Sequence, residues 1–160
     1  MDNIKDTAHL DLEELAQNRA EVYVSERFLK LISEASEKVE QIEPAELDLN
    51  DLGILLLDVR EPEEFASGYL RKEHHLTIPR GKLEFVAIKK ILNQYGQDVP
   101  IVTYCFKGPR GLLAAEQLKK MGFSNVKNLN GGLLNWLGSG RSLKSYFGEI
   151  SLVKTDSSDN

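Results

Sequence analysis

The chain has 160 residues, of which 41% are hydrophobic and 28% charged. That composition fits one soluble globular domain with a substantial core, and no apolar run approaches the length of a membrane span. The net charge of −5 divides unevenly: residues 1–50 carry 13 acidic and 5 basic side chains (−8), while residues 51–160 carry 12 and 15 (+3). A mildly basic body suits a small anion and is too weak and scattered for nucleic acid. The single cysteine, Cys105, excludes an internal disulfide and a resolving thiol within the chain. The start, Met1 to Asp6, lacks a signal-peptide pattern, so a reducing cytoplasmic location is expected.

Residues 11–38 contain neither Gly nor Pro and read as helix. Leu12, Leu15 and Ala16 form one apolar set, and Phe28, Leu31, Ile32, Ala35 and Val39 form another at helical spacing. Val22-Tyr23-Val24 interrupts the period, so two shorter helices fit as well as one. This N-terminal extension, residues 1–38, reads either as helix packed on its own domain or as a surface for a second copy or a protein partner. A domain over residues 39–153 follows.

Residues 39–42 suit a short strand, and Pro44 opens a helix. Residues 54–59 are an apolar run of the kind buried on both faces of a parallel sheet. Glu61 and Pro62 open a helix that ends at Gly68. The segment 69–81 is irregular, with His74 and His75 expected at the surface and a short strand at 76–78. A helix over 83–95 buries Leu83, Val86, Ile91, Leu92 and Tyr95, and Gly96 stops it. The strand ending at Tyr104 leads through Cys105 and a Gly/Pro loop into a helix at 111–121. Residues 125–129 make a further strand, and Gly131-Gly132 turns into a last helix with Trp136 in the core. In the Gly/Ser-rich tail, Tyr146-Phe147 and residues 150–153 are expected to pack back, and 154–160 to be disordered. Strands alternating with helices of this length predict an α/β fold: a mainly parallel sheet with helices on both faces.

Ligands of such sheets bind beyond the carboxyl ends of the strands, where Asp58, Cys105 and Asn130 should all lie. Cys105 stands where a strand stops and a helix begins. Backbone N–H groups there lack helical partners, the helix dipole is positive, and Lys107 and Arg110 add charge. That setting favours the thiolate, the nucleophilic form.

The residues also carry a resemblance. Asp58-Val59-Arg60-Glu61 with Glu64-Phe65, then Ile78-Pro79-Arg80-Gly81, Cys105-x-x-Gly108-x-Arg110 and Gly131-Gly132 with Trp136 resemble the rhodanese family of sulfurtransferases in order and spacing. The similarity spans about residues 39–138. The extension and the Arg80-Gly81-Lys82-Leu83-Glu84 segment further resemble the bacterial polysulfide-sulfur transferases of that family.

The resemblance implies a single rhodanese-like domain and ping-pong covalent catalysis. Cys105 takes a sulfane sulfur from a small anionic donor, polysulfide or thiosulfate, and a cyanide or thiol acceptor removes it. The amides of the loop containing Phe106, Lys107, Gly108 and Gly111 cradle the persulfide. Arg110, Arg80 and Arg60 are the candidate anion-binding side chains. Arg110 reads either as binding the donor or as bracing the loop by pairing with a carboxylate, and Arg80 as anion-binding or surface-exposed. Arg60 reads mainly as structural, pairing with Glu64 or Asp58, while Asp58 and Glu64 serve as structural support. No metal or organic cofactor is required.

The chain departs from the family pattern at three places. Pro109 removes one N–H from the cradle, Gly111 stands where a small side chain is usual, and residues 69–75 replace a shorter turn. Two other activities fit the same framework. A phosphatase or arsenate reductase would use Cys-x5-Arg, one residue longer than the Cys-x4-Arg here. A persulfide carrier or a non-catalytic binding module would dock a partner instead.

Overall fold

The computed structural model describes residues 25–152. The expected helix at 11–24 and the expected disorder at 154–160 fall outside the described residues. The chain divides after Glu34 into two compact units.

Helix α1 (Glu26–Lys38) opens on Ser25, whose Oγ accepts the Phe28 N–H at 3.3 Å as an N-cap does. Glu26 in its first turn and Lys38 in its last complement the helix dipole. Leu29 and Leu31 are each 53% exposed.

The second unit is built on a five-stranded, wholly parallel sheet in the order β1-β5-β4-β2-β3. Its strands are β1 (Glu40–Ile42), β2 (Leu55–Asp58), β3 (His75–Thr77), β4 (Ile101–Tyr104) and β5 (Val126–Leu129). Every residue of β2 and of β4 is buried, as the unbroken apolar runs require of strands covered on both faces. Period-two alternation sends Leu56, Val102, Tyr104 and Leu129 into one cluster with Ile42, Leu47, Leu70, Leu133, Trp136, Leu137 and Leu143. The opposite face carries Leu55, Leu57, Ile101, Thr103 and Val126, and the helix that follows β4 covers its β4 and β5 positions.

The connecting helices are α2 (Pro62–Phe65), α3 (Leu83–Ala87), α4 (Pro109–Lys120) and α5 (Gly132–Gly138). α3 runs on through a π-helical turn (Ile88–Leu92) into a last α-turn (Asn93–Tyr95). Leu83, Ala87 and Ile91 are buried along it at four-residue spacing, and Val86, Leu92 and Tyr95 are half-buried. Trp136 is buried, with its Nε1 donating to the Ser142 carbonyl at 2.9 Å. None of the described helices is long and apolar enough to cross a membrane.

Several local expectations shift. Pro44 opens only a 3₁₀ turn (Pro44–Glu46), and β3 (His75–Thr77) lies one residue earlier than the strand expected at 76–78. His75 is consequently a half-buried strand residue instead of a surface one. The tail forms an antiparallel hairpin, β6 (Leu143–Ser145) and β7 (Gly148–Ile150), which Tyr69 joins through paired 2.9 Å hydrogen bonds with Lys144. Tyr146 and Phe147 do not pack back. They form the hairpin's tip and stand 91% and 95% exposed, whereas Leu143 and Ser145 of β6 are buried.

Candidate active site

Cys105 is the residue immediately beyond β4, at the carboxyl edge of the sheet, and is 1% exposed. The Gly108 N–H donates to its Sγ at 3.0 Å. Pro109 is the first residue of α4, a position where a missing N–H costs the helix no hydrogen bond.

The other side of the loop is held by α5. The N–H of Leu133 donates to the Cys105 carbonyl and that of Leu134 to the Phe106 carbonyl, both at 2.9 Å. In a trans peptide the C=O and N–H point in opposite directions. Drawing these two carbonyls toward α5 therefore turns the N–H groups of Phe106 and Lys107 away from it, into the loop. Gly132 permits the approach: at φ +59°, an added Cβ would stand 2.4 Å from the Cys105 carbonyl oxygen and 2.7 Å from that of Phe106. The Gly131-Gly132 pair thus sets the loop's orientation from the neighbouring strand's end.

Beneath the loop lies a polar contact that the sequence reading did not single out. Asn128 and Thr103, register partners on β5 and β4, are both fully buried. Asn128 Nδ2 donates to Gln41 Oε1 at 3.0 Å and to the Gly108 carbonyl at 3.4 Å. Thr103 Oγ1 lies 3.1 Å from Asn128 Oδ1 and donates to the Gly111 carbonyl at 2.8 Å. A side chain at Gly111 would put its Cβ 2.3 Å from Asn128 Oδ1, which accounts for glycine there. The signal was present in the alternation: Asn128 sits two residues after Val126, on the same buried face.

Each of the three arginines meets a carboxylate. Arg110 forms a two-pronged pair with Glu64, Nη1 to Oε2 at 2.6 Å and Nη2 to Oε1 at 2.8 Å. The Arg110 hydrogen bonds lower the Glu64 carboxyl to about 2. Arg80 Nη1 donates to Glu84 Oε1 at 2.8 Å, one helical turn away on the surface. Arg60 is 2% exposed, and its Nη2 donates to Asp58 Oδ2 at 2.8 Å and to the Gly68 carbonyl at 2.7 Å. Burial alone would pull the Arg60 guanidinium down, but its hydrogen bond to Asp58 and the charge of that carboxylate hold it above its ordinary value.

Next to this pair, the Tyr104 hydroxyl shares a 2.8 Å hydrogen bond with His75 Nε2, and Arg60 lies over the Tyr104 ring at 5.7 Å. Burial pushes the Tyr104 phenol up and the His75 imidazole down. Phe106 is 37% exposed at the loop's outer surface, and Lys107 is exposed beside it. The structure therefore brings Cys105, Phe106, Lys107, Gly108, Arg110 and Gly111 into one loop. Glu64 reaches it through Arg110, whereas Asp58 and Arg60 lie buried beneath the sheet edge.

The family model for the rhodanese-like domain matches residues 42–139. The chain belongs to this family. It is a rhodanese-fold protein whose single cysteine occupies the family's catalytic loop. It is 34% identical over 94 residues to a putative mitochondrial thiosulfate sulfurtransferase of Schizosaccharomyces pombe, covering 54% of this chain and 65% of that protein. The match therefore spans slightly less than two thirds of that relative's length. It is also 28% identical over 102 residues to the thiosulfate sulfurtransferase GlpE of Pseudomonas aeruginosa, covering 63% of this chain and 86% of that one. Among solved structures, it is similar to the polysulfide-sulfur transferase homodimer of Wolinella succinogenes. That likeness has a TM-score of 0.61 and 25% identity, covering 83% of this chain and 93% of the other.

Proposed function

We propose that this protein is a sulfurtransferase that carries a sulfane sulfur as a Cys105 persulfide between a small donor and a thiophilic acceptor. The observation that carries the reading is the placement of Cys105 Sγ under the Gly108 N–H, inside a loop whose amides α5 turns inward. The Cys105 thiolate forms a bond to the donor's outer sulfur, and the donor's S–S bond breaks with its electron pair leaving on the remainder. A thiol or cyanide then attacks the outer sulfur of the persulfide and restores the thiolate. The loop amides stabilise negative charge on the terminal sulfur. Polysulfide and thiosulfate are the donor candidates, with Lys107 in the loop and Arg110 in the first turn of α4 as the nearby cations. Arg60 and Asp58 act through loop position rather than by touching the donor. A thiol that must stay reduced suits the cytoplasm.

Cys105→Ser tests this reading: it should abolish sulfur transfer from thiosulfate and polysulfide to cyanide while leaving the circular dichroism unchanged. Retained transfer would contradict it.

Self-association through α1 is a second component of the proposal. Leu29 and Leu31 are exposed on that helix, and the similar Wolinella protein is described as a homodimer. Light scattering should give a dimer for the full chain and a monomer for the Leu29→Glu, Leu31→Glu double variant. A monomeric full chain would remove the idea.

A further inference from the structure

The three arginines of the site differ in what a ligand could do to their pairs. Arg60 and Asp58 are buried and fixed, 2% and 0% exposed. Arg80 and Glu84 form a local pair within one turn. Arg110 and Glu64 instead join the nucleophile's own loop to α2, and both side chains remain partly open to solvent, 40% and 34% exposed. An anion approaching Arg110 meets a site already filled by a carboxylate of the right geometry. That carboxylate is anchored: Glu64 Oε2 also accepts the Glu61 N–H at 2.9 Å, and the Glu64 N–H donates to the Glu61 carbonyl at 3.0 Å. Glu64 is thus held in place as a built-in competitor for the loop's guanidinium.

We propose that Glu64 is a specificity-determining residue, occupying Arg110 so that thiosulfate, with its sulfonate headgroup, is disfavoured relative to organic hydropersulfides. This rests on the sulfur-transfer reading above. With thiosulfate, the Cys105 thiolate bonds to the outer sulfur, the bond to the sulfonate sulfur breaks, and sulfite leaves with the electron pair. The sulfonate's charge needs an uncommitted guanidinium, and binding must first displace Glu64. With a hydropersulfide RSSH, the same bond forms, the internal S–S bond breaks and RS⁻ leaves. No multiply charged headgroup has to be seated, so the Glu64–Arg110 pair stays closed.

The substitution Glu64→Gln removes the charge and keeps the turn, because Gln serves at this capping-box position as Glu does. The readout is the ratio of kcat/KM for thiosulfate to that for a short alkyl hydropersulfide without carboxylates, with cyanide as acceptor. We expect Glu64→Gln to raise this ratio about fivefold, the scale of one partly exposed charge pair, with the gain appearing in KM for thiosulfate. Glu64→Asp, which keeps the charge, should restore the ratio toward that of the unmodified protein. An unchanged ratio, including one in which both activities fall together, would overturn the proposal and leave Glu64 as a brace.

A second measurement separates this failure from failure of the sulfur-transfer reading. Protection of Cys105 from iodoacetamide by inorganic sulfate requires no turnover. Half-protection should need less sulfate in Glu64→Gln than in the unmodified protein, and equal protection would again overturn the proposal. Absence of any persulfide with either donor would instead overturn sulfur transfer.

Discussion

Asn128 Oδ1 occupies the space that a side chain at Gly111 would need: a Cβ there would lie 2.3 Å from it. The amide is buried and bonded on both sides, so it cannot yield without disturbing Thr103, Gln41 or Gly108. Gly111→Ala should therefore destabilise the fold by about 1–3 kcal/mol, the range for overpacking. Because the strain passes through Gly108 to the Sγ contact, sulfur transfer should fall as well. Urea unfolding and steady-state rates check both; a stable variant with full activity would show that Asn128 has room to move.

The buried Asp58–Arg60 pair gives a larger effect. Asp58→Asn leaves a guanidinium that is 2% exposed without its anion. Removing one partner of such a pair costs about 3–5 kcal/mol. Chemical denaturation should show a loss of that size, and a loss under 1 kcal/mol, the worth of an exposed pair, would mean that solvent reaches Arg60.

His75 sets a pH dependence. Burial pulls its imidazole below the ordinary value of 6.5, so it stays neutral in the fold while the unfolded chain takes up a proton. The unfolded state then binds more protons, and stability falls as pH drops below 6.5 until the folded imidazole itself protonates. Asp58 and Arg60 are the charged groups acting on it, with opposite effects. His75→Gln can keep a hydrogen bond to Tyr104 and should flatten this part of the Tm-against-pH curve. Parallel curves for the two proteins below pH 6.5 would refute the assignment.

The parallel sheet was readable because Leu55-Leu56-Leu57 and Ile101-Val102-Thr103-Tyr104 are runs that only a doubly covered strand accommodates. Cys105 was readable as a strand end because Gly108, Pro109 and Gly111 follow within six residues. Gly131-Gly132 was readable as a turn, yet the hold of the Leu133 and Leu134 N–H groups on the Cys105 and Phe106 carbonyls was not. That contact exists only because β5 lies next to β4, a fact of strand order that local pattern does not encode. The hairpin at 143–150 escaped for a different reason. Its strands are three residues each, too short for alternation to register. Arg110 was visible as a cation that binds the donor or pairs with a carboxylate, whereas Glu64 as that carboxylate required two elements distant in sequence to meet.

The persulfide itself is the most direct test of the account. Intact-mass measurement of the protein after brief exposure to polysulfide should show a gain of about 32 Da, one sulfur atom. The gain should be lost on adding cyanide or a thiol and should be absent in Cys105→Ser. A protein that never gains this mass with polysulfide, thiosulfate or a hydropersulfide, while its thiol remains open to alkylation, would contradict sulfur transfer through Cys105.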